Sequence, residues 1–229
     1  NNISLKSAVA AGAMLGILVE ATTSNATTTL NINNNDFNNT GHTVAASGAI
    51  TFISYNSITG NATNVNNNTF TNMTVNTTGS VIFITRNGNM AATGVENMNS
   101  NSIVTGFSKT GAGGTVSFLA ANASSVAGSA LTNNLNNFSN VTVTGATTIA
   151  GWSNTEGASS TSGPAKTITN NTFNNITGGT SAVTGMSINF SGGPSLVENN
   201  KVTNITSGGA ITGFNFGSSN SSTQLMTVR

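Results

Sequence analysis

The carboxylates are the side chains of this chain best suited to acid–base chemistry, and there are only five. They are Glu20, Asp36, Glu96, Glu156 and Glu198. Glycoside hydrolysis needs two carboxyl groups within about 5–10 Å of each other, and a calcium site needs several oxygen ligands around one ion. The acids are scattered along the chain, so we expect no such pair or cluster. The sequence therefore predicts no enzyme, no cofactor and no metal site, with a polysaccharide-active enzyme as a lesser alternative.

His42, the single histidine, is a further candidate for a general base. A nucleophilic triad would need it between an activated serine and a carboxylate, and Asp36 is close in sequence. No serine is marked as the nucleophile, and the surrounding "TGHT" predicts a solvated turn residue. Trp152 and Tyr55 could stack on a sugar, but the strand position of Trp152 favours packing in the core.

The balance of charges excludes several classes of partner. Only 5% of the residues are charged and the net charge is +1. Nucleic-acid binding requires clustered Lys and Arg, and the six basic residues are scattered, so no nucleic-acid partner is expected. The apolar run at residues 8–19 is shorter than the roughly 18 residues that span a bilayer, which predicts no membrane insertion. The absence of cysteine removes any disulfide framework.

A repeat of about 33 residues provides the elements on which all of these side chains lie. An apolar residue follows an Asn-rich turn in each repeat, and a second apolar marker follows further on. The first series, which we interpret as a core stack, is Phe37, Phe70, Ile103, Phe138, Phe173 and Val202. The second series is Ile50, Val81, Val116, Ile149, Val183 and Ile211. Two independent markers with nearly the same period indicate stacked repeats.

Each repeat combines short β-rich runs with Gly, Asn and Ser turns, which is typical of strands. Repeats of this size that cover one another form a solenoid. We therefore predict an all-β, parallel β-helix of about seven right-handed coils, as one domain over residues 1–229. We further expect this domain to be a segment of a longer or polymerising array without caps of its own. The run at residues 8–19 fits a first coil with an insertion, because "NNIS" at residues 1–4 matches "NNIT" at 174–177; an N-terminal capping helix is the alternative.

Asparagine at the same corner of successive coils can pass a hydrogen bond from amide to amide along the stack. Asn also tolerates the left-handed backbone that such corners need. The predicted ladder consists of Asn2, Asn72, Asn140, Asn175 and Asn204, each just before an apolar residue and a Ser or Thr.

Sequons of the N-x-[ST] type are abundant in so Asn-rich a chain. Glycans on ladder residues one coil apart would collide at a spacing of about 4.8 Å. Candidate glycosylation sites are therefore restricted to predicted loops, at Asn61, Asn122 and Asn220.

The repeats resemble the right-handed parallel β-helix repeats of bacterial surface proteins, the polymorphic outer-membrane protein and autotransporter passenger class. That class carries an F-x-x-N element and a G-G-A-[ILV] element. "GGAI" at residues 208–211 fits, "SGAI" at 47–50 fits in part, and "FNNI" at 173–176 places the Asn one residue early. The resemblance implies the fold and a location outside the cell, at its surface.

The function expected from these features is structural. We expect no capping repeat at either end of the solenoid, and open β edges favour pairing with another chain. We expect a non-enzymatic extracellular repeat protein that associates with itself into a fibre, sheath or stalk. The alternative is an adhesin or carbohydrate-binding passenger module that recognises glycans, with the run at residues 153–164 as its recognition insert.

Overall fold

The computed structural model describes residues 1–20, 28–56, 62–121, 125, 127–156, 163–190, 192–217 and 225–229. Within these ranges the chain forms strands and turns, with no α-helix. The strands in chain order are β1 (Asn2–Ile3), β2 (Lys6–Ser7), β3 (Met14–Val19), β4 (Thr29–Asn31), β5 (Asp36–Asn38), β6 (Gly41–His42), β7 (Ile50–Tyr55), β8 (Ala62–Asn64), β9 (Thr69–Thr71), β10 (Met73–Val75), β11 (Val81–Arg86), β12 (Val95–Asn99), β13 (Ser102–Ile103), β14 (Phe107–Lys109), β15 (Thr115–Ala121), β16 (Ala130–Asn134), β17 (Val141–Val143), β18 (Thr148–Asn154), β19 (Ala165–Thr169), β20 (Thr172–Thr177), β21 (Val183–Asn189), β22 (Ser195–Glu198), β23 (Lys201–Thr206), β24 (Ile211–Gly217) and β25 (Met226–Val228).

These strands stack as a parallel β-solenoid. The wide sheet has seven strands in the order β3-β7-β11-β15-β18-β21-β24, and the narrow sheet has seven in the order β4-β8-β12-β16-β19-β22-β25. The third side carries the anchor sheet, β1-β5-β9-β13, and the return sheet, β10-β14-β17-β20-β23, with the short pair β2-β6 beside them. The predicted all-β parallel solenoid is confirmed, with about six turns between the first and last strands. The right-handed sense remains a prediction.

The two marker series lie in register, each residue beside its equivalent in the next coil. Val81 of the wide sheet pairs with Ile50 on one side and Val116 on the other. On the anchor sheet Phe70 pairs with Phe37 and with Ile103. A shift of one residue would turn the apolar set to solvent, so the alternation of apolar and polar residues holds the register.

The N-terminal run forms β3 and joins the wide sheet, with Met14 beside Ile50. The predicted alignment of "NNIS" with "NNIT" is wrong, because Ile3 pairs with Phe37 and Asn2 pairs with Asp36. The first coil therefore needs no insertion: Ile3 precedes Phe37 by an ordinary repeat length. The match of "NNIS" to "NNIT" misled because asparagine occurs both just before the anchor, at Asn1 and Asn2, and at the left-handed corner after it, at Asn175.

Two left-handed corners bracket the anchor position of every coil after the first. The first corner has positive φ at Asn34, Asn67, Ser100, Leu135, Asn170 and Asn199. The second has positive φ at Asn39, Asn72, Gly106, Asn140, Asn175 and Asn204. Asn tolerates this conformation because its short amide can bond locally, and glycine because it has no Cβ. Asparagine is therefore the corner residue of the solenoid.

Aromatic rings fill the space between the anchor and wide sheets. Phe37 stacks on Phe70 with ring centroids 5.3 Å apart, and Phe138 stacks on Phe173 at 6.3 Å. Phe83 of the wide sheet lies edge-on to Phe70 at 4.8 Å. All five rings are fully buried. Offset and edge-on ring pairs add to the apolar burial, so this column stabilises the stack of coils.

We predict that Leu135→Asn stabilises the protein. Leu135 has φ 59° and is 57% exposed, so it carries left-handed strain without burying its side chain. Asparagine fits the same conformation, so the free energy of unfolding should rise by about 1 kcal/mol, and the midpoint of chemical denaturation should rise with it. The control Leu131→Asn makes the same change at a buried position of β16 and should lower the midpoint. A lowered midpoint for Leu135→Asn would contradict the corner assignment.

Candidate functional site

A continuous ladder of asparagine side chains runs up the inside of the first corner, through every coil. Each member donates from its side-chain Nδ2 to the Oδ1 of the member in the next coil, at 2.7–3.0 Å. The ladder consists of Asn1, Asn35, Asn68, Asn101, Asn136, Asn171 and Asn200. The five internal members are buried.

Four of the five internal ladder amides, those of Asn68, Asn101, Asn136 and Asn171, each donate two hydrogen bonds and accept two. The Nδ2 of Asn101 donates to Asn136 Oδ1 at 3.0 Å and to the main-chain oxygen of Val65 at 2.8 Å. Its Oδ1 accepts from the side chain and from the main-chain N–H of Asn68, at 2.9 and 3.0 Å. Buried polar groups are stable only when paired in this way. The ladder therefore joins three consecutive coils at every internal member.

The predicted ladder residues lie mostly in a different column, at the exposed second corner. Asn175 donates to Asn140 at 2.8 Å, but Asn72 reaches Asn38 at 3.4 Å and Asn204 donates to Asn174 at 2.8 Å. These four corner residues are exposed to solvent. Asn2 belongs to neither corner, since it pairs with Asp36 in the anchor sheet.

The signal that identifies the inner ladder is an Asn two residues before the anchor, not two residues after it. Asn35 and Phe37 flank Asp36 in an extended segment, so both side chains point to the same side, the interior. The same spacing recurs in "NNTF" at residues 67–70, "SNSI" at 100–103 and "NNKV" at 199–202. After the anchor, the left-handed corner interrupts the alternation and turns the Asn outward.

The predicted core stack lies in one column, which runs along the anchor sheet and continues into β20 and β23. Phe173 pairs with Val202, and bridges at Asn137 place Phe138 between Ile103 and Phe173. Phe37, Phe70, Ile103, Phe138 and Phe173 are buried, whereas Val202 in the last coil is half-buried.

One further buried asparagine lacks the bonding of the ladder. Asn133 on β16 is fully buried, and neither its Nδ2 nor its Oδ1 has a hydrogen-bond partner. It occupies an inward column of the narrow sheet, between Met98 and Ile168. An unpaired amide in an apolar column costs stability.

A cluster of buried charged residues lies where the wide sheet ends and the narrow sheet begins. Arg86, at the end of β11, forms ion pairs with Glu96 through Nε at 2.6 Å and with Glu156 through a terminal guanidinium nitrogen. All three side chains are inaccessible to solvent. The expectation that no carboxylates would cluster is therefore wrong. Both carboxylates are nevertheless buried around one guanidinium, so neither is accessible from solution.

The Arg86 cluster also binds the chain segments that leave the wide sheet. The guanidinium donates to Gly88 O at 2.8 Å and to Ser125 Oγ at 3.1 Å. Tyr55 donates its hydroxyl to Glu96 Oε2 at 2.9 Å. Ser125 Oγ accepts from the main-chain N–H of Met90 at 3.0 Å. The cluster thus connects several coils at the edge from which the connections to the narrow sheet depart.

The pKa values of the cluster follow from burial and charge. Burial raises the pKa of the Glu96 carboxyl, although Arg86 opposes this shift. Burial alone would lower the pKa of Arg86, but the two carboxylates outweigh it and hold the guanidinium charged. Burial likewise lowers the pKa of Lys166 to about 8, with Glu156 opposing. The Nζ of Lys166 donates to the main-chain oxygens of Glu156 and Asn189, at 3.0 and 2.6 Å.

The other candidate residues for chemistry are also buried. His42 lies on β6, 6% exposed, and neither ring nitrogen has a hydrogen-bond partner, so the predicted solvated turn residue is wrong. Trp152 pairs with Met186 in the wide sheet and is buried, as its strand position indicated. Tyr55 is buried in the Arg86 cluster. None of these three side chains is placed to stack on or attack a molecule in solution.

The three candidate glycosylation sites, Asn61, Asn122 and Asn220, lie outside the described residues, as do residues 157–162 of the expected recognition insert. Among the described residues there is no group of three or more His, Asp or Glu side chains able to hold a metal ion. Across the same described ranges, no helix is long and apolar enough to cross a membrane.

In the last described coil, formed by β23, β24 and β25, inward residues are exposed whose equivalents in the preceding coil are buried. Ile211 is 48% exposed whereas its neighbour Val183 is fully buried, and Val228 is 54% exposed whereas Val197 is 2% exposed. Phe214 and Phe216 stack on each other at 6.0 Å beside a cavity of about 190 Å³. We call this surface the C-terminal end face. It is an apolar surface bordered by unpaired strand edges, which is suited to binding another coil.

No known protein family, no curated protein and no solved structure matches the chain. The functional assignment therefore depends on the geometry of the solenoid and of its ends.

We predict opposite effects for two Asn→Leu substitutions in the interior. Asn133→Leu removes an unpaired amide and should raise the free energy of unfolding, measured by chemical denaturation, by about 1–3 kcal/mol. Asn101→Leu leaves partners in both neighbouring coils unpaired and should lower it by at least about 3 kcal/mol. The two variants control for each other, since both replace a buried Asn. Equal effects would contradict the distinction between ladder and non-ladder asparagine.

We predict that stability rises between pH 8 and pH 10. Lys166 has a folded pKa of about 8 against an ordinary 10.5, so the unfolded chain binds more protons in this range. The free energy of unfolding should therefore increase by about 2 kcal/mol from this residue. Burial lowers the pKa of Lys109 as well, which acts in the same direction. Lys166→Met should reduce the slope, and Lys201→Met, at an exposed site, should leave it unchanged; a flat profile in the unmodified protein would contradict the assignment.

Proposed function

We propose that this chain is a non-enzymatic, extracellular structural repeat protein whose coils assemble into a cell-surface fibre, sheath or stalk. The observation that carries the proposal is the C-terminal end face, where core columns and strand edges are uncovered in the last described coil. Solenoids end in capping elements when they remain single in solution. A face of this kind is stable when another coil covers it.

The distribution of chemistry supports a structural role. Two of the five carboxylates, Glu96 and Glu156, and the single histidine, His42, are buried in the described interior. The buried asparagine amides of the ladder bond to one another and hold the coils together. The low charge of the chain, 5% of its residues, offers little repulsion against packing of one copy on another. The resemblance of the repeats to bacterial surface solenoids supports a location outside the cell.

An adhesin or glycan-binding passenger module is the second candidate, and one observation favours it. The wide-sheet strands all end at the same edge, where the chain crosses to the narrow sheet, and Arg86 binds two of these connections through Gly88 and Ser125. A rigid scaffold that presents variable connections along one edge is a common arrangement for recognition.

Electron microscopy of negatively stained protein should distinguish the two candidates. The structural proposal expects uniform filaments that lengthen with protein concentration. The adhesin alternative expects separate short rods that bind glycan-coated surfaces. A protein that stays strictly monomeric at high concentration, with its end coils intact, would contradict the fibre proposal.

A further inference from the structure

We propose that Asn87 is a site of self-modification, promoted by Thr85: the side chain of Asn87 loses ammonia to the main-chain nitrogen of Gly88 and then takes up water. The product is an aspartyl or isoaspartyl residue at position 87. The substrate is the carboxamide of Asn87 itself, and the co-reactant is water. This inference goes beyond the proposed fibre and does not depend on it.

Asn87 and Gly88 form the single Asn-Gly pair in a chain rich in asparagine. The Cγ atom of an asparagine and the main-chain nitrogen of the next residue can close a five-membered ring, and a Cβ on that next residue hinders the approach. Glycine has no Cβ, so the nitrogen of Gly88 is less hindered than the nitrogen that follows any other asparagine of the chain. Because nucleophile and carbonyl belong to adjacent residues, the attack is intramolecular, which accelerates it.

The fold leaves Asn87 accessible to water. Asn87 is exposed and lies directly after the last residue of β11, and Gly88 lies in the bend that follows. The main-chain N–H of Asn87 donates to Tyr55 O at 2.9 Å, which fixes the residue against the neighbouring coil. A ladder member such as Asn101 is instead fully buried and bonded on both sides. Water can therefore reach the carboxamide of Asn87, whereas the internal ladder amides are shielded from it.

Two hydroxyl groups contact the carboxamide of Asn87, one at each end. Thr85 donates from Oγ1 to Asn87 Oδ1 at 3.3 Å, and Asn87 Nδ2 donates to Ser54 Oγ at 2.9 Å. Thr85 and Ser54 pair with each other across β11 and β7, and they are only 8% and 6% exposed. Two neighbouring coils thus hold both hydroxyl groups in place around one amide.

These contacts match the charges that develop in the first step. Attack by Gly88 N on Asn87 Cγ forms an N–C bond and places negative charge on Oδ1, the atom to which Thr85 donates. The Cγ–Nδ2 bond then breaks, and Nδ2 leaves as ammonia with the proton that Gly88 gave up. Ser54 Oγ contacts Nδ2 and is placed to pass this proton on. The product is a cyclic imide, and no oxidant or reductant is needed.

Water completes the reaction by opening the imide at one of its two carbonyl carbons. Addition at Cγ breaks the Cγ–N bond to Gly88, which restores the main chain and leaves an aspartyl residue. Addition at the main-chain carbonyl carbon of residue 87 breaks the other bond to Gly88, which leaves the chain connected through Cγ as an isoaspartyl residue. In both products a carboxylate replaces the neutral amide.

The modification changes contacts of the Arg86 cluster. Arg86 donates to Gly88 O at 2.8 Å, and the isoaspartyl product inserts an extra main-chain atom between these two residues, which displaces that carbonyl. Both products also lose Nδ2, the donor that connects Asn87 to Ser54 in the preceding coil. The modified protein should therefore unfold at a lower denaturant concentration than the unmodified protein.

Incubation of the purified protein at pH 7 and at pH 8, followed by peptide mapping with mass spectrometry, tests the site. Asn87 should be converted before the other asparagines, and about tenfold faster at the higher pH, because Gly88 N must lose its proton. Conversion adds one negative charge, which takes the formal net charge from +1 to zero, so ion exchange separates the product. Gly88→Ala should slow conversion about tenfold, and alanine fits the backbone because Gly88 is not among the glycines with positive φ.

A second variant tests the contribution of the fold. Thr85→Val keeps a β-branched side chain in β11 but removes the hydroxyl that donates to Oδ1, and it should slow conversion of the folded protein about tenfold. In urea, where the contact is absent, Thr85→Val and the unmodified protein should convert at the same rate. The control Thr184→Val makes the same change on β21 and should leave the rate in the folded protein unchanged.

The outcomes decide the proposal. Absence of conversion at Asn87, or equal conversion at several other asparagines, would overturn it. A rate in the folded protein that Thr85→Val leaves unchanged would also overturn it, because the pair would then react as in an unfolded chain. Conversion at Asn87 that depends on Thr85 in the folded protein, and not in urea, would establish it.

Discussion

The fully bonded amide ladder is the interaction on which the solenoid depends. Every internal member binds the coil before it and the coil after it, and it does so in a buried position where a missing partner is costly. The phenylalanine column supplies apolar burial, but it tolerates Ile103 in place of a ring because Phe83 lies across the gap, against both Phe70 and Phe138. The ladder has no substitute of this kind among its internal members, all of which are asparagine. This explains the recurrent run of asparagines before each anchor.

The period of the chain was sufficient to predict the fold. Two marker series, one beginning at Phe37 and the other at Ile50, predicted the strand positions and, because each marker has an equivalent in the next repeat, the register of the sheets. The ladder column was harder to predict because asparagine occupies both left-handed corners and the ladder. Only the strand alternation, which points Asn35 and Phe37 to the same side, distinguishes the inward asparagine from the outward one. Residue type alone cannot make this distinction, because asparagine occurs at the first corner, at the second corner and in the ladder.

The Arg86 cluster shows a different limit. Its members lie far apart in sequence, and charge spacing along the chain gives no sign that they meet. Once the register is known, Arg86 falls in an inward column beside Tyr55, and Glu96 falls in an inward column of the narrow sheet. A charged residue in such a column must find a partner across the interior, which was the available signal. The cluster also differs from the repetitive columns. The phenylalanine column repeats from coil to coil, whereas the ion pairs of Arg86 mark one place in the stack.

The constant spacing of the inter-coil bonds has a consequence for how the chain grows. The ladder bonds connect residues 29 to 35 positions apart, from the first step of the stack to the last. The entropy lost in closing one turn is therefore nearly the same for an early coil as for a late one, because loop-closure cost depends on the length of the loop. A chain built in this way can add turns by duplication without becoming slower or harder to close.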